Sequence, residues 1–392
     1  MPSKVMVVKV GTSSVTDADG KLDEAAMQNL AHQISDVLNQ GTKVVLVTSG
    51  AVAAGVAELS GLGFELKAHD IVSQQVAAAT GQSVLMEKYR SFFRVHNIKV
   101  AQFLITAENL SSRKSCVHIQ NALKELLSLS DNIVPIINEN DVVSTTELDQ
   151  TKEKDKQSSF SDNDVLSVLV AANISADLVV ILSDVDGLYT AEPSDPAAKL
   201  IPLVDDIASV ELDVSFKGKS KRGRGGIQSK LKAAKIATSC GIPVVIANSR
   251  QANVIRDVSA GKKVGTLFKA TGEMSARESW IAYGASIKGS IQVNNGAKQA
   301  ILNNGSLLAV GVTNVNGVFD ADDVVCIKDE CDKEFARGKP KFNNLQLNQI
   351  KGLHTSKIPE ILKGSATHKE VISADDMYIS TTEKSDKLCT SK

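Results

Sequence analysis

The sequence lacks any apolar run that approaches the ~18 residues of a membrane-spanning helix. Near the start of the chain, four apolar residues are followed directly by Lys9. That stretch is shorter than the apolar core of a secretory signal peptide, which has ~7–15 residues. These absences exclude the usual signals for membrane insertion and export, and they predict a cytoplasmic protein with no membrane partner.

An excess of charge of one sign is also missing. The chain carries 44 Lys and Arg against 45 Asp and Glu, which is a formal net charge of −1. Nucleic-acid backbones and anionic membrane surfaces are bound by a positive field, which a balanced surface does not supply. We therefore expect no nucleic-acid partner.

Metal-ligating and disulfide patterns are absent as well. The five cysteines are an odd number, and neither they nor the six histidines show the close pairs of a zinc site. We expect reduced thiols and no metal ion held by protein side chains alone. The cysteines are Cys116, Cys240, Cys326, Cys331 and Cys389.

What is present predicts an α/β fold. The length of 392 residues suits two or three domains, and the content of 43% hydrophobic and 23% charged residues is ordinary for a globular protein. Val-rich strands alternate with amphipathic helices, which predicts a mainly parallel sheet sandwiched by helices. The predicted strands are 4–10, 44–47, 99–104, 133–137, 178–182 and 244–247, and the predicted helices are 23–38, 70–96, 112–129, 164–173 and 229–240.

The pattern changes after residue 268. We assign 1–268 to the α/β domain, 269–286 to a linker, 287–379 to a small β-rich domain and 380–392 to a tail. Short β-like segments separated by Asn and Gly turns indicate the second domain. The expected strands there are 290–293, 307–310, 318–319 and 324–327, and the expected turns are 294–296, 303–305 and 316–317.

Candidate site residues come directly after the predicted strands, because open α/β sheets bind ligands at the carboxyl ends of their strands. Lys9 ends the first strand, where a buried ammonium needs an anion, and Gly11 lets a phosphate approach the backbone. A surface lysine explains Lys9 as well. Ser49 and Gly50 follow the second strand and open a helix whose amides suit an anion, although an ordinary helix cap explains them equally.

Two further polar clusters suit an amino-acid substrate. Asn138 and Asp141 belong to the sequence NEND after the fourth strand, where amides and carboxylates could recognise a zwitterion or simply form a solvated turn. Asn163 and Asp164 follow a polar insertion at 147–161. Asn163 and Asp164 either cap a helix or belong to the same site as Asn138 and Asp141. The second interpretation requires the insertion to fold back over that site.

The remaining candidates suit a nucleotide. Ser183 and Asp184 follow the fifth strand and either line a nucleotide pocket or form a turn. Further along the chain, glycines and cationic residues precede the predicted helix 229–240, as they do in a phosphate-binding nest. A basic patch that binds nucleic acid is the alternative interpretation. The residues of this loop are Arg224, Gly225, Gly226, Ile227, Gln228, Ser229 and Lys230. Neither a Walker A motif nor a dinucleotide fingerprint occurs in the sequence.

Taken in order, these motifs resemble those of the glutamate 5-kinases, a branch of the amino-acid kinase family. The matching stretches are VVKVGTSSVT, VVLVTSGAVAAG, VPIINENDVVST, SDNDVLSVLVA, DVDGLYTAEP and GRGGIQSKLKAA. The stretch GSIQVNNGAKQAILNNGSLLAVGVTNVNGVF resembles the PUA domain that many of these kinases carry. Ser161, Ser183 and Arg224 depart from the usual kinase pattern, and the segment 330–334 departs from the turn that is usual in the second domain.

The resemblance implies ATP-dependent phosphorylation of the γ-carboxylate of L-glutamate, the first step of proline biosynthesis, with Mg²⁺ accompanying ATP. It also implies a homo-oligomer, dimer or tetramer, with proline as feedback inhibitor. By the same resemblance, Lys9 and Lys230 contact the transferred phosphoryl group and Asp164 orients them. Glutamate would be bound by Ser49, Gly50, Asp141 and Asn163 with Asn138 close by, and the nucleotide by Ser183, Asp184 and the loop 224–230.

Two alternatives remain at this stage. A sister kinase acting on another carboxylate, such as aspartate or acetylglutamate, would share most of these motifs. The alternative from a different class is an RNA-binding protein with a PUA domain. Cationic and anionic side chains are nearly balanced in 277–392, so no excess of positive charge supports RNA binding.

Overall fold

The computed structural model describes residues 4–67, 70–144, 163–207, 226–272, 274–362 and 368–380. The chain divides into two compact units, Met1–Ala276 and Arg277–Lys392. Each unit has its own cluster of buried apolar side chains.

The first unit is built on an eight-stranded sheet. Its strand order is β3-β4-β2-β1-β5-β7-β8-β6, and the neighbouring strands run parallel except for β7 and β8. The predicted mainly parallel sheet is therefore confirmed. The strands are β1 (Val5–Val10), β2 (Lys43–Val47), β3 (Lys99–Ile105), β4 (Ile133–Glu139), β5 (Leu178–Ser183), β6 (Leu203–Val204), β7 (Val244–Asn248) and β8 (Thr266–Phe268).

Helices cover this sheet. They are α1 (Thr12–Val15), α2 (Glu24–Asn39), α3 (Ala51–Gly61), α4 (Ile71–Val95), α5 (Ala107–Ser111), α6 (Arg113–Leu129), α7 (Asn163–Ile174), α8 (Ile227–Ser239) and α9 (Val254–Ser259). Asp23 and Asp70 cap α2 and α4 by accepting hydrogen bonds from the amides of Ala26 and Ser73. Every residue of α7 is buried, so this helix lies in the interior of the unit.

The central strands are buried because both faces of the sheet are covered. In β1, Val8 lies opposite Leu46 of β2 and Val180 of β5, and all three side chains are fully buried. Their carboxyl ends therefore lie side by side at one edge, as the prediction of a strand-end site requires.

Helices α3 and α4 pack closely through glycines. A Cβ atom built on Gly81 would lie 1.9 Å from the carbonyl oxygen of Ala51, and one on Gly55 would lie 1.8 Å from that of Ala77. No side chain fits at such distances, so the two backbones are in direct contact there. This contact fixes α4 against the helix that follows β2.

The second unit contains a five-stranded sheet of order β10-β9-β11-β12-β13, in which only the pairing of β9 with β11 is parallel. Its strands are β9 (Ile287–Val293), β10 (Val312–Gly317), β11 (Val324–Lys328), β12 (Glu334–Gly338) and β13 (Met377–Ile379). The first helix, α10 (Ala276–Ser279), begins at the last residue of the first unit. The π-helical turn Trp280–Gly284, α11 (Asn295–Leu302), α12 (Asn344–Ile350) and α13 (Ile358–Ile361) follow, with short 3₁₀ turns between them.

Several local predictions in this unit are wrong. Segment 307–310 forms a single bridge, Leu307 with Ile372, and then a 3₁₀ turn, while 318–319 lies beyond the end of β10. The expected turn 294–296 is the start of α11, since the side chain of Asn294 accepts from the amide of Ala297. Asparagine favours both turns and helix caps, so the sequence alone does not separate the two.

Candidate active site

The candidate residues of the first unit lie at the carboxyl edge of its sheet. Lys9 of β1 pairs in register with Val47 of β2 and Ile181 of β5. Ser49 follows β2, Asn138 is at the end of β4, and Ser183 ends β5. Adjacent parallel strands therefore bring these side chains to the same edge.

A buried carboxylate joins two lysines at this edge. Lys9 Nζ lies 2.6 Å from Asp164 Oδ1, and Lys230 Nζ lies 3.2 Å from Asp164 Oδ2. Lys9 and Lys230 are 5% and 7% exposed, and Asp164 is fully buried. The three residues come from β1, α7 and α8, so the tertiary fold assembles this lysine–aspartate–lysine triad.

The charge state of the triad follows from its geometry. Burial by itself would raise the pKa of Asp164, but the two neighbouring ammonium groups outweigh it and hold the pKa below its ordinary value of 3.8. The carboxylate is therefore ionised at neutral pH. With both lysines charged, the triad carries one net positive charge in a buried place, and this favours an anionic ligand.

The backbone next to the triad leaves room for such an anion. A Cβ atom on Gly11 would lie 3.4 Å from Lys9 Nζ, so glycine keeps the space beside the ammonium clear. On α1, the hydroxyl of Ser14 is buried and has no hydrogen-bond partner in the part of the chain that the structure describes. Buried polar atoms normally have partners, so this one is a candidate ligand contact.

Beside the triad lies a cluster of amide and hydroxyl groups. Asn163 Nδ2 donates to Ser49 Oγ at 2.8 Å, to the carbonyl oxygen of Thr48 at 3.2 Å and, weakly, to Asn138 Oδ1 at 3.4 Å. Asn163 Oδ1 is buried without a partner among the described residues. Asn163 immediately precedes Asp164, so the first two residues of α7 connect the amide cluster to the triad.

The amide cluster is supported from α4, by residues that sequence reasoning missed. Gln82 Oε1 accepts from Asn138 Nδ2 at 2.9 Å, and the hydroxyls of Tyr89 and Thr48 lie 2.7 Å apart. Gln82 and Tyr89 are seven residues apart and therefore lie on one face of the helix. No short motif marks them, but polar groups on an otherwise apolar helical face are a usable signal.

The other residues predicted to bind the substrate, Gly50 and Asp141, follow β2 and β4. Gly50 precedes α3 with φ +105°, and a Cβ there would lie 3.0 Å from a methyl group of Val15, so this position requires glycine. Asp141 is buried in the turn after β4. After this turn, the hydroxyl of Ser144 donates to Oε1 of Glu139, the last residue of β4, at 2.5 Å.

The predicted nucleotide residues occupy the other side of β1. Ser183 is buried at the end of β5, and its hydroxyl donates to the exposed Asp184 Oδ1 at 3.1 Å. The next loop is held by Asp186, which accepts from Asn248 Nδ2 and from the hydroxyl of Tyr189, both at 2.8 Å. These two hydrogen bonds lower the pKa of Asp186.

The glycine-rich loop lies only partly within the described residues. Arg224 and Gly225 are outside them, as are Ser161 and the polar insertion 147–161. Gly226 is the residue before α8, and Ile227, Gln228, Ser229 and Lys230 form its first turn. The hydroxyl of Ser229 is buried and has no partner among the described residues, immediately before the triad lysine.

The described residues contain no group of three or more His, Cys, Asp or Glu side chains arranged to hold a metal ion. Among the same residues, no helix combines the length and apolar character needed to cross a membrane.

Two family models match this chain. The model of the amino acid kinase family matches residues 4–248, and that of the PUA domain matches residues 289–362. With the strand-edge site described above, this places the chain in the amino acid kinase family, and it is a kinase. A divalent metal ion accompanies ATP in kinases generally.

Within that family the chain falls among the glutamate 5-kinases, which confirms the resemblance of its motifs. The glutamate 5-kinase of Thermoanaerobacter sp. strain X514 is 38% identical over 377 residues, which cover 95% of this chain and 97% of that protein. The glutamate 5-kinase of Moorella thermoacetica is 40% identical over 378 residues, covering 95% and 96%. That of Methanosarcina mazei is 39% identical over 384 residues, covering 95% of both chains.

Proposed function

We propose that this protein transfers the γ-phosphoryl group of ATP to the γ-carboxylate of L-glutamate, producing L-glutamyl 5-phosphate and ADP for proline biosynthesis. The observation that carries the proposal is the start of α7. Asn163 belongs to a cluster suited to an amino acid, and the adjacent Asp164 binds two lysines suited to a phosphoryl group. The names of the similar proteins support the same reaction.

The triad supplies electrostatic stabilisation. As the phosphoryl group moves, negative charge grows on the oxygen that leaves and spreads over the transferred oxygens. Lys9 and Lys230 lower the barrier because Asp164 holds their ammonium groups in place before the reaction begins. The attacking γ-carboxylate has an ordinary pKa of ~4.3 and is ionised at neutral pH, so no general base is needed.

The amide cluster suits the amino-acid end of the substrate. Asn163 Oδ1, buried and without a partner among the described residues, would accept from the α-ammonium group. Asp141 would add a negative charge for the same group. Ser49 and the amide of Gly50 would donate to carboxylate oxygens, and Asn138 would keep Asn163 in position.

The nucleotide would lie on the opposite side of the triad. We assign Ser183 and Asp184 to one wall and the loop 224–230 to the phosphates, with the amides at the start of α8 facing them. The site fits Mg²⁺ carried by ATP, since Mg²⁺ is usually bound by substrate phosphates with one or two carboxylates, and Asp184 is exposed at this edge. When bound, Mg²⁺ would neutralise charge on the phosphate oxygens.

A substrate panel tests the reaction. The protein is incubated with ATP, Mg²⁺, hydroxylamine and either glutamate, aspartate, acetylglutamate or carbamate, and both the trapped hydroxamate and ADP are measured. We expect hydroxamate with glutamate at a kcat/KM at least 100-fold above that of the other acids. A preference for another acid would make this chain a sister kinase.

The oligomeric state, the cellular location and the response to proline are further parts of this proposal. We propose a homo-oligomer, dimer or tetramer, located in the cytoplasm, with proline as a feedback inhibitor. Light scattering of the purified protein tests the oligomer, and fractionation of cells tests the location. Glutamate-dependent ADP formation that does not change when proline is added would contradict the proposal for proline.

A further inference from the structure

We propose that Gln82 of α4 is a positioning residue of the amino-acid subsite, acting through Asn138. The inference rests on the proposed function, because it concerns how that site holds its substrate. Gln82 lies in the middle of a 25-residue helix and belongs to none of the strand-end motifs. Its carboxamide nevertheless contacts one of the strand-end side chains directly.

Gln82 binds the NH₂ end of the Asn138 side chain and so helps to hold this side chain in place. Asn138 Nδ2 donates to Gln82 Oε1 at 2.9 Å, so Asn138 Oδ1 faces the opposite way. That oxygen accepts from the backbone amide of Glu139 at 2.9 Å and from Asn163 Nδ2 at 3.4 Å. If the side-chain amide of Asn138 were rotated by 180°, its NH₂ group would face the two donors that now bind its oxygen, which is unfavourable. A chain of oriented amides thus runs from Gln82 through Asn138 to Asn163.

The backbone holds Gln82 firmly at this point. The preceding residue, Gly81, is in direct backbone contact with α3, which begins just after Ser49. On the same face of α4, Leu85 is fully buried and the Tyr89 hydroxyl lies 2.7 Å from that of Thr48. Helix α4 therefore supports the ends of both β2 and β4, and Gln82 is its contact with β4.

Both ends of the amide chain have unused hydrogen-bonding capacity. Gln82 Nε2 and Asn163 Oδ1 are buried, and each is without a hydrogen-bond partner among the described residues. Unsatisfied buried groups are unfavourable, so the free acceptor of Asn163 at the far end of these linked amides indicates a place for a ligand group.

The test is a double-mutant cycle in the full chain. Gln82→Met keeps the length of the side chain and removes both of its polar atoms, and Gln82→Ala is the second variant in case the first disturbs packing. Each is made alone and together with Asn138→Ala. Gln28→Met on α2, where the glutamine is exposed, is the matched control. The KM for glutamate, the KM for ATP, kcat and the thermal midpoint are measured for every variant.

We expect Gln82→Met to raise the KM for glutamate by roughly three- to tenfold, the range for one lost hydrogen bond. The KM for ATP and the thermal midpoint should stay near those of the wild type and of Gln28→Met. In the Asn138→Ala background the Gln82 substitution should change the KM for glutamate by less than about twofold, because its partner is already gone.

The proposal would be overturned if the two substitutions acted independently, so that the increase in the KM for glutamate in the double variant equalled the product of the two single increases. So would equal increases in both KM values, which would indicate a general structural role. If the wild-type protein phosphorylates a different amino acid, the proposed function fails, and the same cycle is then measured with that substrate. The coupling between Gln82 and Asn138 is therefore decided separately from the identity of the substrate.

Discussion

Replacing Asp164 by asparagine removes the negative charge that Lys9 and Lys230 share, with almost no change in size. Breaking a buried ion pair by removing one partner destabilises a protein by ~3–5 kcal/mol, because the other charge stays buried. Here two ammonium groups, both less than a tenth exposed, would face each other. We therefore expect a loss near the upper end, about 4–5 kcal/mol, and a fall in Tm on the order of 10 °C.

A second substitution separates stability from catalysis. In Asp164→Asn/Lys9→Met the repulsion between the ammonium groups is removed, so the Tm should recover at least half of the loss while kcat stays impaired. Thermal unfolding followed by circular dichroism measures the first quantity and ADP release the second. A Tm of Asp164→Asn within about 2 °C of wild type, or a double variant less stable than the single one, would refute this reasoning.

The same carboxylate sets a pH dependence. The pKa of Asp164 is lowered in the folded state from 3.8, so its contribution to stability is complete above about pH 5 and is lost as the pH falls through the folded-state value. The Tm difference between wild type and Asp164→Asn should therefore be constant from pH 6 to 8 and should shrink below pH ~4.

Three further predictions concern other parts of the fold. Asp141→Ala should raise the KM for glutamate at least about tenfold more than that for ATP, because a charge-assisted hydrogen bond is lost; equal effects in steady-state kinetics would contradict a role in substrate binding. Gly81→Ala should lower the free energy of unfolding by ~1–3 kcal/mol or more through overpacking, measured by urea denaturation. Gly61→Ala, which has no atoms within 4 Å of the new Cβ, is its control and should be neutral. A chain ending at Ala276 should remain folded and keep glutamate-dependent ADP formation; a folded but inactive fragment would mean that the second unit supplies part of the site.

The sheet of the first unit could be predicted because its strands are short Val-rich runs bounded by glycine or polar residues. Lys9 and Lys230 were candidates for the same reason, since a lysine after an apolar strand or a glycine loop suggests an anion. The residue patterns by themselves do not predict the common attachment of these lysines to Asp164, which only the family resemblance implies. The attachment depends on how α7 and α8 pack, and helix packing leaves no short signal in the sequence.

Gln82 and Tyr89 show what local patterns miss. Both lie inside α4, where neither a strand end nor a glycine marks them, and their partners are more than 40 residues away in sequence. In the second unit, Asn294 caps α11, although the asparagine cluster there suggests a turn. Whether a helix forms there depends on the residues after the cap and on the sheet against which the helix packs.

The most direct test of the central claim is kcat of Lys9→Met and Lys230→Met with saturating ATP and glutamate. If both ammonium groups stabilise the charge of the transferred phosphoryl group, each variant should lose ~10²–10³ in kcat, or roughly 3–4 kcal/mol. The KM for glutamate should change little, and circular dichroism should show a folded protein. A folded variant of either lysine that keeps more than about a tenth of wild-type kcat would contradict the account.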